Sequence, residues 1–133
     1  MAQHATFGLA RTHLLALKPT FSPQEVLYRQ DETAEGLRLL EADGDFSFGA
    51  SGEIVTLVGR AALDGMLTGL ELLMVLQTLD VLSRAKTAVV KHRSIASNLA
   101  EIAETIHDSR NLRTAIKKCI GPRGEVVDTA TPE

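Results

Sequence analysis

Tryptophan is absent from this 133-residue chain, tyrosine occurs once and phenylalanine four times, so aromatic residues make up only 4%. Any core must therefore be built from Leu, Ile, Val and Ala. A single cysteine, Cys119, excludes an internal disulfide, and a lone thiol fits a reducing compartment. The N-terminus shows no basic head followed by an apolar run, so no secretory leader is expected. No uncharged apolar stretch approaches the roughly 20 residues needed to span a bilayer. The expected location is the cytoplasm, with no membrane partner.

What is present suits a globular protein. Apolar residues make up 44% of the chain and the net charge is −3. The charge is unevenly spread: residues 1–83 hold 5 Lys/Arg against 11 Asp/Glu, and residues 84–133 hold 9 against 6. A basic rear half could serve an anionic partner. Two differently solvated faces give the same asymmetry, and the rear excess is small for a nucleic-acid-binding domain.

The periodicity is helical. A first helix is expected over residues 6–17, where Ala10, Leu14 and Leu17 share a face, and Pro19 ends it. The second opens with Ser22 as N-cap, Pro23 at the first helical position and Glu25 at N3, a capping box, with Phe21 and Val26 as a hydrophobic staple. Its apolar face runs through Ala34, Leu37 and Leu40 to Asp43-Gly44. Residues 43–52 form a glycine-rich stretch in which Phe46 and Phe48 alternate with polar residues, leaving room for a short extended piece. A third, short helix carries Ile54, Leu57, Val58, Ala61 and Ala62, with Gly65 at its end. Thr68 and Glu71 form a second capping box before the longest helix, which reaches Val90 or Lys91 and is apolar around much of its circumference. The next helix presents Ile95, Leu99, Ile102 and Ile106. A last helix opens at Asp108 or Ser109, carries Leu112, Ile116 and Ile120, and stops at Gly121-Pro122. The expected fold is all-α: one helical domain over residues 1–133, a bundle of about five to six helices with short connections. A short extended segment is expected at 124–128. Thr131-Pro132-Glu133 has the order of a further helix start, so the chain is expected to be a fragment of something longer.

No motif for catalysis stands out. The stretch from Gly44 to Gly52 lacks the lysine of a phosphate-binding loop. His4, His13, His92 and His107 are scattered, so no metal site is expected. Asp43 and Asp45 fit a turn better than a carboxylate pair. Cys119 sits toward the apolar side of the last helix, as a small core residue would. Basic residues are the remaining candidates. Arg84, Lys86, Lys91 and Arg93 occur with no acid between them, as do Arg110, Arg113, Lys117, Lys118 and Arg123. Arg110, Arg113 and Lys117 fall on one helical face, opposite Leu112 and Ile116, and such a stripe can contact phosphates. Cations also gather at helix C-termini, where they suit the dipole. Neither cluster holds an aromatic for base stacking, which argues against single-strand readout. The candidate nucleic-acid contacts are Arg110, Arg113, Lys117 and Lys118.

Several strings occur in the order of one family: Leu17-Lys18-Pro19, Arg29-Gln30-Asp31-Glu32-Thr33-Ala34-Glu35, Gly59-Arg60-Ala61, Asp64-Gly65-Met66-Leu67, Glu71-Leu72-Leu73 and the closing GEVVDTATPE. Together they resemble the N-terminal core segment of the second bacterial MutS subfamily, whose members carry a C-terminal Smr nuclease domain. The resemblance implies a homodimeric parent ATPase using ATP and Mg, acting in recombination control and DNA repair or in ribosome rescue. This segment would join the parent's helical core to its lever helices. The ATP site and nuclease residues would lie elsewhere, so no catalytic, cofactor-binding or metal residue is expected in this chain. Its partners would be the rest of the parent ATPase and, through it, DNA or a ribosome. Two other classes fit the residues alone: a free-standing helical protein-interaction module, and a small nucleic-acid-binding module using the basic helix face.

Overall fold

The computed structural model describes residues 8–42 and 54–127. They form six α-helices: α1 Gly8–Ala16, α2 Pro23–Ala42, α3 Val55–Ala61, α4 Gly69–Lys91, α5 Ser97–Glu104 and α6 Arg110–Cys119. Among the described residues there is no strand, so the fold is all-α. The expected extended segment near 124–128 is reduced to one antiparallel bridge, Ile120 to Val126. The readings of residues 43–52 and of Thr131-Pro132-Glu133 lie outside the described residues.

Helix α4 is the spine. Its 23 residues span about 35 Å. Its buried residues, Val75, Leu76, Thr78, Val81, Ala85 and Val89, run along its whole length. Its start is fixed as the sequence indicates. Thr68 Oγ1 accepts from the Glu71 N–H, and the Glu71 carboxylate accepts from the Thr68 N–H at 2.7 Å. Arg60 of α3 pairs with the same carboxylate. The spine carries two cores. Toward its start, Val75 and Leu76 pack with Ile116 and Ile120 of the α6 end, joined by Ile54, Leu57 and Cys119. Toward its end, Val89 packs with Leu39 of α2 and with Ala96, Ala100 and Ala103 of α5.

Helix α5 has eight residues, too few to persist on hydrogen bonding alone. It is held at both ends by charges from other helices. At its N-terminus the Glu35 carboxylate of α2 accepts from the N–H groups of Asn98 (3.1 Å) and Leu99 (2.9 Å) and from Ser97 Oγ (3.3 Å). At its C-terminal end Lys86 Nζ of α4 donates to the carbonyls of Ile106 (2.6 Å) and Glu104 (3.3 Å). The negative charge meets the positive end of the helix dipole and the positive charge meets the negative end. Arg38 Nε adds a bond to the Ile95 carbonyl, at 2.9 Å, beside the Glu35 contact.

Several expectations change. The face of α2 that reads as apolar is not the buried one: Leu37 is 59% and Leu40 51% exposed, whereas Glu35 is 4% exposed and Leu39 is buried. The inward position goes to a carboxylate because α5 needs a cap there. On α5 the buried face is Ala96, Ala100 and Ala103, and Ile102 is 46% exposed. Small residues let α5 approach both α2 and α4 closely. Ile95 and Ile106 lie just beyond the ends of the helix. At the start of α2 only half of the expected capping box forms, with Glu25 N–H to Ser22 Oγ at 3.5 Å. The Glu25 carboxylate instead accepts from Thr20 Oγ1 and pairs with Arg29, while the Ser22 N–H donates to Thr20 Oγ1. Phe21 is 99% exposed, so the hydrophobic staple is not made. The end of α3 is a Schellman closure, with Gly65 N–H to Arg60 O at 2.9 Å and Asp64 N–H to Ala61 O at 3.1 Å. Its left-handed residue is Asp64 (φ 57°), and Gly65 is needed because a side chain there would strike the Arg60 carbonyl. Gly69 likewise has no room for a Cβ, which would run into the backbone of Gly124 folded over the start of α4. Gly36 in α2 has open space around it, so its cost is helix propensity alone.

Burial works against the Glu35 charge, but the Leu99, Asn98 and Ser97 donors and the nearby Arg38 outweigh it and hold the carboxyl below the usual range. A carboxyl lowered in the folded state stabilises the fold above its unfolded pKa and loses that contribution as pH falls through the folded value. Thermal melts should therefore be flat from neutrality to about pH 5 and decline below about pH 4. Glu35→Gln should cost about 2 kcal/mol in denaturant unfolding and flatten that acid decline. A variant as stable as the parent sequence, with the same acid decline, would contradict the role given to Glu35.

Candidate nucleic-acid interface

The two basic clusters of the sequence meet in space. Helix α4 supplies Lys86 and Lys91, and the start of α6 supplies Arg110 and Arg113. They line a groove of about 560 Å³, together with Ile106, His107 and Asp108 and the hydroxyl residues Ser83, Thr87 and Ser109. No aromatic side chain lines it. The segment after α5 is held in place by the Lys86 bond to the Ile106 carbonyl, which brings the α6 N-terminus beside α4.

The four candidate contacts divide into two pairs. Arg113 and Lys117 do not stand opposite Ile116. They lie beside it, on the flank of α6 that faces α4, and both reach Asp80. Arg113 donates at 3.0 Å and Lys117 at 3.1 Å. Asp80 is partly desolvated, which opposes its charge, yet the Lys117 and Arg113 donors and charges hold its carboxyl below the usual range. The Nε atom of Arg113 is buried. These two cations act as struts between α6 and the spine. Arg110 is different: its side chain is 78% exposed and its contact to Asp108 is 3.5 Å long. Lys118 is exposed. Arg84 and Lys91 are exposed on α4, and with Lys118 they pair with no carboxylate among the described residues. Of the two clusters, the cations open to an external anion are therefore Arg84, Lys91, Arg110, Lys118 and Arg123, a set that spans two helices and the turn after α6.

Three functional side chains carry no local sequence signal. Glu35, Asp80 and Lys86 each act on a group 18 to 64 positions away. Each reads in sequence as an ordinary charge on a helix surface. Cys119 is half-buried against the core nearer the start of α4. Among the described residues no three His, Cys, Asp or Glu side chains gather as a metal site would require, and no helix is long and apolar enough to cross a membrane.

A long spine with two small cores, an internally clamped short helix and a solvent-facing cationic groove define a helical structural segment. Comparison with known proteins says which. The chain is similar to endonuclease MutS2 of Shouchella clausii, with 31% identity over 135 residues, covering 98% of this chain and 17% of that protein. It is similar to endonuclease MutS2 of Thermomicrobium roseum (29% over 136 residues, 100% of this chain, 17% of that protein) and of Geobacillus thermodenitrificans (30% over 135 residues, 98% and 17%). The chain thus matches a segment of MutS2 along nearly its whole length and spans about 17% of the length of these relatives. This agrees with the resemblance carried by its sequence strings. No protein-family profile and no solved structure matches the chain.

Asp80→Asn should release Arg113 and Lys117 together. The expected result is a loss on the order of 1 kcal/mol in thermal or denaturant unfolding, with Lys117 becoming more reactive toward amine-specific labelling. Unchanged Lys117 labelling would contradict the strut role.

Proposed function

We propose that this chain is a non-catalytic helical segment of a MutS-type protein, and that it couples distant ATPase domains to the grip on DNA or on a ribosome. The observation that carries this reading is the near-complete match to one segment of MutS2. The architecture supports it. Movement at one core of α4 reaches the other through a single helix, and α5 is tied by ion-assisted bonds to both α2 and α4, so the end of the spine and α2 move together. ATP, Mg and any nuclease centre belong to the remainder of the longer protein, which works in the cytoplasm as a homodimer.

A second reading rests on the exposed cations. Arg84, Lys91, Arg110 and Lys118 form a surface that neutralises backbone phosphates, with no sequence readout. Its affinity falls steeply with salt. In that reading the segment is itself part of the grip.

The coupling reading is tested in the longer protein. Glu35→Gln loosens the α2–α5 clamp far from any ATP site. Basal ATP turnover should stay near its original value, while stimulation by branched DNA or by ribosomes should fall about fivefold or more. Stimulation unchanged in the variant sinks the coupling role. The isolated chain should show no heat of ATP binding by titration calorimetry, and stoichiometric binding would overturn the non-catalytic assignment.

A further inference from the structure

Two helix faces that read as core are open, and they converge. Leu37 and Leu40 of α2 meet Leu99 and Ile102 of α5 around one groove of about 650 Å³, floored by Leu39 and Val89. Among its described lining residues the only charge is Glu32, and no cation is present. Glu101 stands next to Ile102 along α5. Its charge and that of Glu32 both act on the Tyr28 hydroxyl of α2. Glu32 is paired with no cation among the described residues, and Glu101 acts only through its charge on Arg93, which is itself bonded to Glu104. The groove is therefore apolar inside and acidic at its rim.

Helix α1 is its complement. It buries no residue of its own. It exposes Leu9 and Leu15, with Leu17 just beyond its end, and residues 8–20 hold Arg11, His13 and Lys18 with no acid. Nine residues are too few for a stable free helix, so α1 needs a surface to pack on. The chain's own α1 does not supply the cover, because no α1 residue lines the groove.

We propose that α1 of one copy docks in the α2–α4–α5 groove of a second copy. Its leucines lie on the apolar floor, and Arg11 and Lys18 face Glu32 and Glu101. The exchange is reciprocal, so the contact closes as a two-fold dimer rather than a filament. Hydrophobic burial supplies most of the attraction and the charges set the orientation.

The test uses the full chain in sedimentation equilibrium with two charge-reversed variants, Arg11→Glu with Lys18→Glu, and Glu32→Lys with Glu101→Lys. The unmodified chain is expected to dimerise. Each variant alone sets like charges against each other at both contacts and should dimerise at least tenfold more weakly. An equal mixture of the two restores opposite charges at both contacts and should recover a heterodimer. Leu37→Asp, at an exposed position, should abolish dimerisation while leaving the helical circular dichroism unchanged. A chain that stays monomeric at high concentration overturns the proposal. So does a dimer indifferent to both reversals, which would use another surface. So does a mixture of the two variants that stays monomeric, which would mean that α1 and the groove do not pair between copies.

Discussion

The long-range polar ties of the α2–α4–α5 half gather at the two ends of α5. The helix is short, and its fully buried residues are alanines with only Leu99 partly buried beside them, so large side chains contribute little to holding it. What holds it is a carboxylate at one end and an ammonium at the other, each supplied by a different helix. Glu35 satisfies N–H groups that α5 cannot satisfy internally, and Lys86 does the same for its last carbonyls. Without Glu35, α5 loses its N-terminal cap and a polar tie to α2; without Lys86, its C-terminal end loses a tie to α4.

The other half of the spine uses the same device in a different place. Asp80 joins α4 to α6 by receiving Arg113 and Lys117, and Arg60 joins α3 to the capping box of α4 through Glu71. The molecule is thus organised by partly buried carboxylates at helix junctions, with modest apolar clusters between them. That arrangement ties each helix from α2 to α6 to a neighbour. It leaves large apolar side chains such as Leu37, Leu40 and Ile102 free for contacts beyond the chain itself.

Much of this was legible in the sequence. The Thr68–Glu71 box, the length of α4 and the end of α6 follow from local chemistry: a hydroxyl three residues before a glutamate, an unbroken apolar run, and a Gly-Pro stop. The MutS2 relationship was legible because short strings keep their order along the chain. What could not be read is which face of each helix turns inward. Periodicity points to Leu37 and Leu40, yet the fold buries Glu35, because its partners are the N–H groups of Asn98 and Leu99, more than sixty positions away. Ile102 outranks Ala100 by hydrophobicity, but close approach to two helices selects the alanine. The staple at Phe21 fails for a similar reason: Thr20 takes over the polar half of the junction and leaves the ring nothing to pack on. The basic stripe of α6 was visible, but the assignment of Arg113 and Lys117 to Asp80 depends on how two helices meet.

The central claim is that the Glu35 carboxylate caps α5, and amide hydrogen exchange at Asn98 and Leu99 tests it most directly. Compared at neutral pH in the original chain and in Glu35→Gln, these two amides should lose protection by at least tenfold in the variant. The amides in the middle of α4 should change little. Equal protection of Asn98 and Leu99 in both proteins would contradict the account, because α5 would then be held by something other than the charge at its end.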